Sequence, residues 1–395
     1  MATDTAPPIA ARTPEPRSAR LRGVALLFTR LGFTAFGGPA AHIAMMEDEV
    51  VRRRGWLSRA EFLDLVGAVN LIPGPNSTEI ALHVGHRRAG FAGLLVAGAC
   101  FIGPAMGMAL VLAWVYQRYG TLPRAAGVLA GIKPVIIAVV VQAVWSLGRT
   151  ALRTRTLTLL ALAAGAMAAM GVGEIAVLAL GAGAGAAARA ERRRDEARFG
   201  AGAGVGVGAM AVATGVAAGA ASVTLPAIFG VFLKIGSLLF GSGYVLASFM
   251  RTELVERRGW LSEGQVLDAV AVGQFTPGPL LTTATFAGSL LAGVPGGLAA
   301  TAGIFLPAFV LVALSGPLVP RLRRSATAGA VLDGVNAASW ALMAVAAWRL
   351  GRGAVVDWAT AALAVVAAML LARFRVNSAW LVLGGGLIGL ARGGG

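Results

Sequence analysis

The chain holds one cysteine, three histidines and little charge; 13% of its 395 residues are charged and 57% are hydrophobic. Each scarcity closes off a class of protein. A lone cysteine, Cys100, excludes an internal disulfide and any cysteine-based metal cluster. It lies in an apolar run and reads as a small core residue. The charge content is about half that of an ordinary soluble domain. The apolar segments are long and unbroken rather than alternating, which argues against a β-barrel. There is no Ser/His/Asp order, cysteine nucleophile, Walker loop or H-E-x-x-H motif, so the chain does not read as an enzyme and no cofactor is expected. His83 and His86 lie three apart, but a metal site needs more ligands nearby.

What is there is apolar sequence in runs of about 20 residues, the length that crosses a bilayer as helix. The fold class is therefore an all-α polytopic membrane protein, with lipid as its surroundings. The net charge of +16 does not indicate nucleic acid, because the arginines fall in short clusters between apolar runs, as the positive-inside rule requires. Residues 1–20, rich in Pro, Ala and Arg, read as a disordered cytoplasmic tail. The apolar stretch that follows is interrupted by Arg30 and has no cleavage-like end, so a removable signal peptide is not expected.

The chain contains itself twice. Shifted by 204 residues, RLGFTAFGG (30–38) falls on KIGSLLFGS (234–242), and EVVRRRGWLS (49–58) on ELVERRGWLS (253–262). Asp64 falls on Asp268, and Pro73-Gly74-Pro75 on Pro277-Gly278-Pro279; after a one-residue gap, WSLGR (145–149) falls on WRLGR (348–352). Internal duplication is frequent in secondary transporters. The division is a first transmembrane repeat over 21–190, a charged linker with a linking helix over 191–223, and a second repeat over 224–395. The glycine-rich 200–222 has the spacing of a dinucleotide loop but neither a preceding strand nor a following acid, and reads as membrane helix.

Six spans per half are expected: 23–46, 59–88, 90–117, 125–148, 155–171 and 173–189, then 224–250, 263–289, 292–318, 326–350, 354–372 and 377–392. The second of each set is broken at Pro-Gly-Pro. With the linking helix, thirteen crossings result. A cytoplasmic N-terminus puts 22 basic residues inside and 9 outside, with Arg52, Arg53, Arg54 and Arg59 outside and Arg251, Arg257 and Arg258 inside. Seven crossings separate the two repeat starts, so the halves would be inverted relative to each other.

A proline within a membrane helix removes a donor and clashes with the preceding turn, and such backbone must lie within protein or line a cavity. Pro75 and Pro279 suit the first position of a restarting helix. The N–H groups of Asn76, Ser77 and Thr78, and of Leu280, Leu281 and Thr282, then attract an anion. Asn76, Ser77 and Thr78 add side-chain donors, as do Thr282 and Thr283. Gly37 and Gly38, matched by Gly241 and Ser242, either break a helix or allow close packing. Arg30 and Lys234 are equivalent cations, for substrate or counter-ion contact or for snorkelling. Lys133 is a further candidate contact, with Asn336 at its repeat position. Asn70 and Gln274 match across the repeat as amide donors. Glu79 can carry a coupling proton or cap free N–H groups, and His42 is a proton or anion contact. Asp64 and Asp268 read as loop braces.

FGGPAAHIAMMEDEVVRRRGWLS followed by NLIPGPNSTEIA resembles the signature of the chromate ion transporter family, and FGSGYVLASFMRTELVERRGWLS with GQFTPGP resembles the C-terminal half of its long, two-repeat form. The second copy departs at Ser242 and Gly243. The resemblance implies efflux of chromate from the cytoplasm powered by the proton motive force, with sulfate as a lookalike ligand. It also implies an inner-membrane location and chromate resistance. The residues alone lead to a duplicated transporter for a small anion, with an anion channel as the reading from another class. Many small residues leave room for a homodimer.

Overall fold

The computed structural model describes residues 15–36, 38–69, 73–120, 122–199, 222–240, 243–374 and 376–392. Gly37, Asn70, Gly241, Ser242 and all but the last residue of the expected linking helix fall outside them. The described residues form helices and no strand. The first half comprises α1 (Arg17–Thr34), α2 (Gly38–Glu47), α3 (Arg59–Val69), α4 (Asn76–Tyr119), α5 (Pro123–Ala151), α6 (Arg155–Ala169) and α7 (Glu174–Phe199). The second comprises α8 (Leu225–Leu238), α9 (Leu246–Met250), α10 (Glu263–Phe275), α11 (Thr283–Arg324), α12 (Ala326–Ala354), α13 (Trp358–Phe374) and α14 (Ser378–Arg392). Four helices, within α4, α5, α11 and α12, are long and apolar enough to cross a membrane. The charged run after Arg189 continues α7 as helix to Phe199, since Arg, Glu and Ala are good helix formers.

Repetition extends to irregularities. Among the described residues each half carries one π-helical stretch, Asp48–Arg53 and Arg251–Glu256, at positions that match to within one residue. Each long helix is broken once, at Ala89–Gly90 in α4 and at Ala292–Gly293 in α11, with Gly90 and Gly293 at φ 67° and 62°. These breaks are 203 residues apart, so the missing residue of the second copy lies between Pro279 and Ala292. The two arms of α4 pack flat because Gly85 and Gly93 face each other; a Cβ on Gly85 would sit 2.3 Å from the Gly93 carbonyl. Gly288 and Gly296 do the same in α11, at 2.4 Å.

The structure revises the expectation that each Pro-Gly-Pro interrupts a crossing helix. The chain turns back there. At the base of the first turn, Arg88 stacks on Trp56, 5.0 Å from the ring centroid, and Arg20 donates to the Arg88 carbonyl at 3.4 Å. The start of α3 and the end of the 76–88 arm thus share one end of the molecule with the start of α1. In the second half, a Cβ on Gly273 would fall 1.9 Å from the Thr283 hydroxyl, and Tyr116 touches both Asp268 and Phe286. Helix α10 and the 280–291 arm therefore run side by side in opposite directions. The 52–59 loop, expected at the opposite end from Arg88, lies beside it.

Equivalent helices pack antiparallel. Gly98 meets Phe309 while Gln117 donates to the Ser289 carbonyl at 2.6 Å, which sets α4 against α11. Trp340 donates to the Val144 carbonyl at 2.7 Å and Arg153 meets Asp333 at 3.7 Å, which sets α5 against α12. One end of the molecule, here called basal, holds Arg20, Trp56, Arg88, Arg153 and Asp333. The distal end holds Arg257 beside Glu174, Arg349 beside Glu256 and Arg392 beside Asp357.

The GWLS motif of each copy builds the base of a hairpin. Gly55 and Gly259 adopt φ 59° and 61°, a left-handed turn that favours glycine. The tryptophans stack with arginine, Trp56 under Arg54 and Arg88, Trp260 under Arg258. Ser262 and Gln265 form a capping box at the start of α10, and Ser58 and Glu61 bond in the same reciprocal way before α3. These serines brace the loop in both copies, while Asp268, expected as a brace, faces Lys133 and Tyr116.

Candidate functional site

The two Pro-Gly-Pro tips meet at the centre of the molecule, and each docks on the other half. The Gly74 N–H donates to the Leu239 carbonyl at 2.7 Å, and the Gly278 N–H donates to the Ala35 carbonyl at 2.9 Å. Leu239 and Ala35 are the residues at which α8 and α1 end, so a helix terminus with unused carbonyls accepts from a turn with unused N–H groups. Donors and acceptors are both 204 residues apart, so the contact is reciprocal. Glycine is required at the second tip, where φ is 87° and a Cβ would meet Ala105 Cβ at 2.9 Å. His42 Nε2 lies 2.9 Å from the same Ala35 carbonyl and is packed edge-on to Phe101, so His42 braces the docking point of the second tip.

A cavity of about 670 Å³ opens from the tips between α5 and α12, with room for about 20 waters. Its floor is Pro75, Asn76 and Ser77 from the first tip and Leu280 and Leu281 from the second. Its walls are polar at the helical period, with Gln142, Ser146 and Thr150 on α5 and Asp333, Asn336 and Ser339 on α12, and Arg153 joins them from just past the end of α5. Thr150 lies eight residues beyond Gln142, or about 12 Å along the helix, with Arg153 beyond it, so the cavity extends toward the basal end. Farther along α12, a smaller hollow of about 190 Å³ lies at the distal end. It is rimmed by Arg257 with Glu174 at 3.7 Å and Arg349 with Glu256 at 2.9 Å. Arg349 also donates to the carbonyls of Ala168 and Ala169.

The tip residues are chemically unequal. Asn76 and Ser77 line the cavity. Thr78 is fully buried beside them, its hydroxyl without a hydrogen-bond partner. Thr282 and Thr283, expected as donors, turn their hydroxyls to the carbonyls of Pro279 and Leu280, both at 2.8 Å. Gln274 is buried, with an unpartnered Nε2. Glu79 has no exposed surface, and neither carboxyl oxygen has a hydrogen-bond partner. It lies against the turn it follows, such that a Cβ on Gly74 would meet its Oε1 at 2.2 Å.

The cations expected at the anion are engaged elsewhere. Arg30 pairs with Glu49, and Lys234 with Glu253 at 2.6 Å. Glu49 is also approached by Arg53 and Arg54, and Glu253 by Arg257 and Arg258. The same one-acid, three-base cluster thus recurs in both copies. Lys133 meets Asp268 at 3.5 Å, with Tyr116 donating to the same carboxylate at 2.8 Å; this buried cluster joins α4 and α5 to α10. Sequence reading overlooked Ser146, Thr150, Arg153, Asp333 and Ser339. The available signal was polar residues recurring every three or four positions along two otherwise apolar helices. Among the described residues no cluster of three or more His, Cys, Asp or Glu could hold a metal.

A family model described as "Chromate transporter" matches residues 23–186 and again 226–390. The chain is 30% identical to a chromate transport protein of Cupriavidus metallidurans over 371 residues, covering 94% of this chain and 92% of that one. It is 31% identical to a chromate transport protein of Pseudomonas aeruginosa, over 78% and 76% of the two chains. It is 28% identical to a probable chromate transport protein of Synechococcus elongatus, over 88% of each. No solved structure matches.

Proposed function

The chain belongs to the chromate transporter family, an integral membrane protein, and from that premise we propose that it is a secondary active transporter that exports chromate from the cytoplasm in exchange for protons. The observation that carries this reading is the reciprocal docking of two proline-broken tips at the floor of one central cavity. Helix starts at mid-membrane offer N–H groups and a partial positive charge to an anion. Asn76 and Ser77 supply donors there without a fixed countercharge, so an anion held by them can also leave. Gln274, Gly38, Thr282 and Thr283 belong to the frame of the site, and Arg30, Lys133 and Lys234 to ion pairs around it.

The halves are inverted in this reading, related by an axis in the membrane plane; the antiparallel packing of equivalent helices supports it. In this reading each half makes four crossings, two by its long apolar helices and two by shorter ones, and two hairpins that turn back. Folding back two segments instead of crossing twice leaves the parity unchanged. It also improves the charge bias: in the described segments 21 basic residues fall at the basal end and eight at the distal end, which makes the basal end cytoplasmic. The wide cavity is then open to the cytoplasm, and ion pairs close the distal side, as expected of alternating access rather than of a channel. Glu79 is the proton carrier, because a buried carboxylate without partners is costly to keep charged.

Uptake of labelled chromate into inverted membrane vesicles, driven by an imposed pH gradient, tests the proposal. Accumulation that collapses when the gradient is dissipated is expected. Flux that follows membrane potential alone would make the protein a channel. Competition by sulfate in the same assay shows whether the site separates the two dianions, which share charge and shape.

A further inference from the structure

We propose that Glu79, His83 and His86 form a proton path along one face of the 76–88 arm, connecting the buried tip to the basal surface. The proposal rests on the proton-coupled reading above and names the route by which the proton leaves. Residues at i, i+4 and i+7 share a helix face, with neighbouring Cβ atoms about 5–6 Å apart. Glu79 is completely buried and does not line the cavity, so the open vestibule does not itself deliver or remove its proton. One turn toward the base, His83 is 92% buried and its Nε2 has no hydrogen-bond partner. His86 is exposed and within electrostatic reach of His83. Two buried proton-carrying groups one turn apart, with both Glu79 carboxyl oxygens and His83 Nε2 unpartnered, are an expensive arrangement for packing alone.

The second repeat supplies an internal control. Allowing for the one-residue gap between Pro279 and Ala292, the equivalent positions are Thr283, Phe286 and Ser289. Thr283 and Ser289 spend their hydroxyls on the carbonyls of Leu280 and Thr285, and Phe286 packs edge-on against Tyr116. That arm carries no proton, so one half alone conducts. In the proposed sequence the Glu79 carboxyl gives its proton to His83 Nε2, becoming a carboxylate. The imidazolium passes a proton on to His86, which releases it at the basal surface. The charged groups around the outlet are Arg87 and Arg88 on the same arm, Glu15, which pairs with Arg88, Arg20 on α1, Arg54 beside Trp56 and Glu61 on α3, so bases outnumber acids. The cations there favour outward release.

The test uses purified full-length protein in vesicles containing a pH-sensitive dye, with a chromate gradient as the driving force and chromate binding in detergent as a separate readout. Wild type is expected to move protons when chromate moves. His83→Phe, which installs the residue of the second repeat, is expected to lose the proton signal while its chromate Kd stays unchanged. His83→Asp, which can carry a proton, is expected to restore part of the signal. His86→Phe is expected to slow it several-fold. A wild-type proton signal in His83→Phe would overturn the path and leave the coupling reading standing. Loss of chromate binding in His83→Phe without rescue by His83→Asp would make His83 structural and overturn the path. A silent wild type would overturn coupling and path together.

Discussion

The two Pro-Gly-Pro hairpins share a backbone and differ in chemistry. Both turn at a left-handed glycine, both dock on the opposite half through a glycine N–H, and both start on a serine-capped helix. The first presents Asn76 and Ser77 to the cavity and hides Glu79 and His83 behind them; the second presents Leu280 and Leu281 and hides Thr283 and Phe286. Duplication therefore preserved the frame and left one copy to carry the polar groups. Backbone hydrogen bonds and glycine contacts are needed on both sides to hold the halves together. In the proposed mechanism a single anion at the centre needs one set of donors and one proton carrier.

The contrast can be broken at several points. The largest effect is expected at Glu79. Glu79→Gln should abolish pH-driven chromate accumulation, whereas Thr283→Val, its counterpart, should leave vesicle uptake within about twofold of wild type, because a surplus neutral hydrogen bond contributes only about 1 kcal/mol. Equal losses in the two variants would end the claim that the copies have diverged.

Next come the acid clusters. Glu253 is 1% exposed and holds Lys234, Arg257 and Arg258; Glu49 is 7% exposed, and its partner Arg30 is half in solvent. Removing a buried acid leaves its half-buried cations unpaired, at up to about 3 kcal/mol; a partner that can reach solvent softens that loss. Glu253→Gln should accordingly lower the unfolding temperature in detergent more than Glu49→Gln. The reverse order would show that burial does not set the cost here.

At the tips, Gly278→Ala should cost about 2 kcal/mol, combining a positive φ with a contact to Ala105 inside van der Waals range. Gly74→Ala carries the strain of a positive φ as well and should in addition impair transport, since its added methyl meets the Glu79 carboxyl. Thermal unfolding and vesicle uptake, measured on both variants, separate the two outcomes. The smallest effect is expected at the caps: Ser58→Ala and Ser262→Ala should each lower stability by about 1 kcal/mol. Equal losses would support the symmetry of the frame.

Much of this frame is readable in the residues. The duplication, the proline breaks, the inequality of Glu79 and Thr283 and the pairing of Arg30 with Lys234 all follow from aligning the chain with itself. The partners of those cations do not. Glu49 lies 19 residues from Arg30, within the same motif, but that spacing alone does not say whether the chain between them runs on or folds back. For the same reason 59–88 reads as a crossing helix. A proline break in an apolar segment is equally consistent with a kink and with a hairpin, and only the contact of Trp56 with Arg88 distinguishes them. The polar face of α5 and α12 was overlooked because single serines and threonines in a long apolar helix carry little weight until two such faces oppose each other.

By itself the sequence settled that the chain is helical, lipid-embedded and made of two copies, since hydropathy, run length and self-similarity are local properties of the chain. Tertiary structure alone decided that the breaks are turns, that each tip bonds to the other copy, and that the membrane cations are neutralised at the hairpin bases. Those outcomes depend on which distant groups share a buried space, where every unpaired donor, acceptor or charge must find a partner made available by the rest of the fold.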